Sequence, residues 1–182
     1  MKAIIHKARI ELADLDRNRY SDFSLTIARH PSETDERMMA RLLAFTLNAP
    51  EDGDHGPLEL ARDMWDPDEP ALWQRDYTGR LIQWIEIGQP DERRILRVSA
   101  RSQQVRVYAL HESTAIWWEH LRSRINRVNN LTIEHIPETS GAELASFAER
   151  TMEIQVSIQE GEIWVTAGSR SSQISVNRLY PT

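Results

Sequence analysis

The chain has 182 residues, enough for one domain with a real core, and its 40% hydrophobic and 27% charged residues are ordinary for a soluble globular protein. It contains no cysteine, which excludes disulfides and thiolate metal centres, so any bound metal would have to use oxygen or imidazole ligands. A net charge of −6 excludes a histone-like binder that relies on counterion release, and leaves room for a local basic face. The opening apolar stretch is too short for a signal peptide, and no later run is long enough to span a bilayer, so the expected location is the cytoplasm and no membrane partner is expected.

In chain order, residues 3–12 and 22–29 read as strands, with residues 13–18 as the turn of an N-terminal hairpin. A helix follows. Pro31 and Ser32 suggest its cap, Glu33 and Asp35 suit the N-terminal dipole, and Met39, Leu42, Leu43 and Leu47 recur at helical spacing. Residues 48–56 form an acidic loop rich in glycine and proline. Residues 58–65, 72–76 and 81–87 come next as three short strands, separated by Asp66-Pro67-Asp68-Glu69-Pro70 and Tyr77-Thr78-Gly79-Arg80. A helix from Asp91 to about Ser102 leads into an apolar strand at 105–110, which gives the order helix, three strands, helix, strand. Helices at 113–127 and 140–150 flank a strand at 131–136. A hairpin over 152–167 turns at Glu160-Gly161, and a last strand covers 173–180. No repeat or low-complexity tract divides the chain. The expectation is one domain of the α/β (α+β) class, with a mixed central sheet, flanking helices and hairpins at both ends.

Three groups of residues stand out chemically. Glu86 lies in Ile82-Gln83-Trp84-Ile85-Glu86-Ile87, a run apolar on both faces. A carboxylate there needs a metal, a cation or a shared proton, so it is either a ligand or half of an ion pair with an arginine of the next helix. Glu36 falls on the same side of its helix as Met39 and Leu43, with Glu33 one turn earlier; the alternative for Glu36 is an intrahelical pair with Arg41. Arg94, Arg97 and Arg101 form a stripe on the helix after Glu86, facing solvent, a phosphate or Glu86 itself. The six histidines show no ligand spacing, and no glycine-rich phosphate loop or nucleophile elbow is present. Trp117-Trp118 is read as core packing.

The segments His30-Pro31-Ser32-Glu33-Thr34-Asp35-Glu36-Arg37-Met38-Met39, Asp68-Glu69-Pro70, Trp84-Ile85-Glu86-Ile87-Gly88-Gln89-Pro90-Asp91-Glu92-Arg93-Arg94 and Phe147-Ala148-Glu149-Arg150-Thr151-Met152 resemble those of the YaeQ family, in the same order. The resemblance covers nearly the whole chain. It implies a fold similar to the PD-(D/E)XK nucleases, in which acids on the second and third core strands and on the first helix hold a divalent metal that activates water. By that resemblance Glu36 takes the helix position and Glu86 the third-strand acid. Two positions depart from the pattern: Gly88 stands where the lysine would be, and Ala71 where the second-strand acid would be.

A metal-dependent phosphodiesterase would then use Glu36, Glu69 and Glu86 as ligands for magnesium or manganese, with Asp68 a substitute for Glu69 and with Gln89 or Arg97 in the lysine's place. The alternative is a non-catalytic module on the same fold, binding nucleic acid or a protein partner through its cleft or its arginine stripe.

Overall fold

The computed structural model describes residues 2–182 as a mixed α/β protein with two mixed sheets and, among the described residues, four α-helices. The chain divides into two compact units, one formed by residues 1–47 and 139–175 and the other by residues 48–138 and 176–182.

The first unit is built on a five-stranded sheet of order β10 (Arg170–Ile174), β9 (Glu162–Ala167), β8 (Thr151–Gln159), β1 (Ile4–Asp14) and β2 (Arg19–Arg29). Strands β1 (Ile4–Asp14) and β2 (Arg19–Arg29) are antiparallel in unbroken register, from Ile4 opposite Arg29 to Asp14 opposite Arg19. Both outrun the expected 3–12 and 22–29. Asn18 carries the turn at φ +53°, and the Asp14 carboxylate accepts the Arg17 N–H, so only four residues are needed to reverse the chain. In β1 the even-numbered side chains from His6 to Asp14 are buried and the odd ones from Ile5 to Glu11 exposed, the period-two pattern of a strand with one covered face.

Helix α1 (Asp35–Asn48) begins later than Pro31-Ser32 suggests. Residues 30–33 are spent on a turn closed by the Glu33 N–H to the His30 carbonyl, and the cap is Thr34, whose hydroxyl accepts the Arg37 N–H at 3.1 Å. Helix α4 (Glu138–Ala145) is shorter than the expected 140–150 and is followed by β8 (Thr151–Gln159), which runs parallel to β1. The hairpin from β8 to β9 (Glu162–Ala167) turns at Glu160 and Gly161, both at positive φ, and both turn N–H groups donate to the Asp16 carboxylate.

The second unit carries a six-stranded sheet of order β11 (Asn177–Tyr180), β7 (Leu131–His135), β6 (Ser102–Ala109), β5 (Leu81–Ile87), β4 (Leu72–Arg75) and β3 (Leu58–Leu60). Residues 58–65 are not one strand: β3 (Leu58–Leu60) stops early and a single 3-10 turn at Asp63–Trp65 follows. Strand β4 (Leu72–Arg75) and β5 (Leu81–Ile87) form the expected hairpin. Asp91 caps helix α2 (Glu92–Arg101) by accepting the Arg94 N–H, and β6 (Ser102–Ala109) follows directly. The order helix, three strands, helix, strand is therefore observed.

Helix α3 (Thr114–Leu121) ends six residues before the expected Arg127, and the chain continues in turns to β7 (Leu131–His135). The expected last strand at 173–180 is two strands in different sheets, β10 (Arg170–Ile174) beside β9 and β11 (Asn177–Tyr180) beside β7.

Strands β5, β6 and β7 are parallel. Ile95 and Val98 of α2, with Leu121 and Ile125, pack against Trp84, Val105, Val107, Leu131 and Ile133 on one face of this sheet. Trp117 and Trp118 pack against the same cluster, as their apolar bulk suggests. No helix of the described residues is long and apolar enough to cross a membrane.

Candidate functional site

Glu86 sits near the end of β5 on the helix-covered face, with its side chain 11% exposed. Its Oε1 accepts two hydrogen bonds, from Trp84 Nε1 at 2.7 Å and from Arg94 Nε at 2.5 Å. Trp84 is two residues back on the same strand and therefore on the same face. Arg94 reaches in from the first turn of α2, its guanidinium 5.9 Å from the centre of the Trp84 ring. Its terminal nitrogens donate to the carbonyls of Pro67 and, at 3.1 Å, Glu69. One arginine thus neutralises the strand carboxylate and ties the 66–70 turn to it.

The remaining sequence-predicted residues are placed apart or in other work. The Glu69 carboxylate accepts the backbone N–H of Arg62 at 2.7 Å. Asp68 is exposed. Ala71 is fully buried at the start of β4. Gly88 holds φ +128° and donates its N–H to the Tyr108 carbonyl, a backbone conformation that L side chains rarely adopt, so the position expected to carry lysine is glycine for a conformational reason. Gln89 Nε2 donates to the Leu110 carbonyl, Ser113 Oγ and Thr114 Oγ1, which fastens the end of β5 to the start of α3. Arg97 and Arg101 are exposed.

Glu36 belongs to the first unit, where it is half-buried against α4; a Cβ added at Gly141 would lie 2.1 Å from its Oε1, so glycine makes room for the carboxylate. Among the described residues no three histidine, aspartate or glutamate side chains gather as a metal set.

The first unit holds a charge cluster that sequence reading missed. Arg41 pairs with Glu33: Arg41 Nε lies 2.9 Å from Oε2 and its NH2 2.5 Å from Oε1, a two-pronged contact, and Arg37 adds a third bond at 2.6 Å. Both Glu33 and Arg41 are almost entirely buried.

The arginine stripe of α2 also differs from expectation. Arg94 turns inward, while Arg93, Arg97 and Arg101 face solvent. The chain after α3 runs back alongside α2: Arg124 pairs with Glu92 at the start of that helix, and Asn130 Nδ2 donates to the Ser99 and Ser102 carbonyls at its end. Arg124 therefore lies beside the start of α2, on the flank of Glu92 and Ser99, while Arg93, Arg97 and Arg101, four residues apart, form a stripe on its outer side. Glu119 pairs in turn with Arg122.

Fold and site define a mixed α/β protein whose central strand carboxylate is held by an indole and a guanidinium. The chain belongs to the YaeQ family: the family's profile, described as YaeQ protein, matches residues 1–176. Proteins described as "Uncharacterized protein YaeQ" are similar to it across 97% of its length and 95% of theirs, at 41% identity in Salmonella typhi and 39% in Escherichia coli K12. Two crystal structures of YaeQ proteins share the fold with TM-scores of 0.90. That from Xanthomonas axonopodis pv. citri is 37% identical, over 97% of this chain and 98% of its own, and that from Pseudomonas syringae 33% identical, over 99% and 97%.

Proposed function

We propose that this chain is a non-hydrolytic member of its family: a single domain that keeps a nuclease-like order of elements and uses the outer face of α2 to hold the phosphate backbone of a nucleic acid. The observation that carries the reading is the division of labour among the α2 arginines. Arg94 is turned in to Glu86, and Arg93, Arg97 and Arg101 are turned out to solvent as one stripe along the helix.

The inward arginine argues against a magnesium or manganese site. The cation would have to displace a guanidinium at 2.5 Å from Glu86, and with it the bonds from Arg94 to the 66–70 turn. Glu69 would have to release the Arg62 N–H, and Ala71 offers no ligand. Hard divalent cations need several oxygen ligands, so the residues present do not fit the metal, and no hydrolytic step is assigned to them. The outward arginines suit the partner. Guanidinium forks match phosphate oxygens two at a time, and three of them along one helix face give an acidic protein a local basic surface for a polyanion.

The test is fluorescence anisotropy with labelled 20-nucleotide DNA and RNA strands, single and double, in EDTA. Binding is expected without metal. The triple variant Arg93→Gln, Arg97→Gln, Arg101→Gln should weaken it at least tenfold and reduce the salt dependence by about three ions released. Strand cleavage in Mn²⁺ that disappears in Glu86→Gln would overturn the reading.

A further inference from the structure

We infer that the second unit carries a small-anion site on the opposite face of its sheet, suited to a phosphomonoester that also bears hydroxyl groups, such as a phosphorylated pentose. The inference rests on a groove distinct from the α2 surface and does not depend on the nucleic-acid reading.

In β5, β6 and β7 the side chains of Trp84, Val105, Val107, Leu131 and Ile133 face the helices. Alternation turns Gln83, Gln104, Arg106 and Thr132 the other way. A parallel sheet is ordinarily apolar on both faces, so this polar block is unusual. With Ile85 of the same face, it lines a concavity of about 200 Å³ whose rim includes Asn129, Asn130, Arg178 and Pro181.

The polar groups there are fixed in orientation. Gln83 Nε2 donates to the Asn48 carbonyl at 3.2 Å and to Gln74 Oε1 at 2.8 Å, and Gln74 in turn donates to the Gly56 carbonyl. Asn130 Nδ2 is committed to the Ser99 and Ser102 carbonyls. Both amide nitrogens are thus used by the framework, and both amide oxygens remain as acceptors for ligand hydroxyls.

The charge is arranged for an anion. Arg106 and Arg178 share one carboxylate, Glu134, whose Oε2 lies 3.7 Å from Arg106 NH1 and whose Oε1 lies 3.4 Å from Arg178 NH2. Two guanidinium groups against one carboxylate leave a net positive charge, and both contacts are longer than a tight charge-assisted bond. Glu134 therefore holds the two arginines in place without saturating them. A phosphate placed between them would gain bidentate donors, and its sugar hydroxyls would meet Gln83, Gln104, Asn130 and Thr132. The volume suits a group of pentose-phosphate size: it equals that of about seven water molecules in the liquid.

The experiment is calorimetric titration of ribose 5-phosphate and, separately, of inorganic phosphate into the intact chain. Saturable binding of ribose 5-phosphate is expected, at least tenfold tighter than inorganic phosphate. Arg178→Gln, at an exposed position where folding is not at risk, should weaken both ligands at least fivefold. Gln104→Ala should erase the preference for the sugar phosphate, and Arg97→Gln on the helix face should change neither. No saturable binding to the wild type, or equal binding in wild type and Arg178→Gln, would overturn the inference. Equal affinity for the two ligands in the wild type would refute the sugar-phosphate assignment.

Discussion

Each unit buries a glutamate against arginine, and the two arrangements differ in what surrounds the pair. Glu33 has two arginines, a two-pronged contact and almost no exposure, so both of its carboxylate oxygens are committed to holding α1 to the segment before it. Glu86 has one arginine and one indole N–H, and Arg94 is 21% exposed at the end of a strand where its other donors hold a turn. The ends of strands in an α/β sheet are where ligands commonly bind, so a carboxylate there invites a catalytic reading. Its partners make it the same kind of device as Glu33, left partly open. Neither position in the sequence nor burial separates a ligand from an ion pair; the identity of the nearest donor does.

Glu33→Gln should sharpen the contrast most. It leaves two arginines against a neutral amide, one of them deeply buried, and should cost about 3–5 kcal/mol in urea unfolding. A loss under 1 kcal/mol would mean that the cluster is relaxed by solvent and the comparison fails.

A buried neutral group in the second unit gives a pH-dependent effect. Burial pushes the Tyr108 hydroxyl up to about 12, with Asn48 Nδ2 bonded to its oxygen. Below pH 10 both the folded and unfolded chains keep this proton, so the contribution is constant. Between pH 10 and 12 the unfolded chain releases the proton and the folded one retains it, so stability should fall, by about 2 kcal/mol over that window. Tyr108→Phe should flatten this part of the alkaline unfolding curve, and an unchanged curve would count against the burial.

The smallest expected effect lies on the outer face of α2. Arg97→Gln with Arg101→Gln should change stability by no more than about 0.5 kcal/mol, because neither side chain is buried. A larger loss in urea unfolding would mean that these arginines serve the fold and not a partner.

Much of the frame was legible in the sequence because local chemistry decides it. The apolar run from Leu81 to Ile87 is a strand with the expected ends, and Asp91 caps the helix it precedes. The class of the fold followed from the order of these elements. Other features depended on what local rules do not contain. Ser32 lost the cap to Thr34 because residues 30–33 form their own turn. Arg41 reaches Glu33 across eight residues and a change from turn to helix, beyond the three- and four-residue spacing that pairs side chains on a helix. The arginine stripe of α2 was half visible: Arg97 and Arg101 could be read from helical spacing, whereas the contact of Arg124 with Glu92 arises because α3 stops at Leu121 and the chain turns back to α2. At Glu86 both alternatives were open in the sequence, and the choice fell to the phase of α2, which presents Arg94 to the strand.

The central claim is that Glu86 is half of a structural pair. The most direct test is the unfolding free energy of Glu86→Gln against wild type in urea, with EDTA present throughout. A loss of about 2–3 kcal/mol is expected, because the substitution strips the charge from the group that neutralises Arg94 and orients Trp84. Stability that is unchanged or raised in the variant would contradict it, since removing a carboxylate from an empty metal site relieves repulsion and breaks no pair.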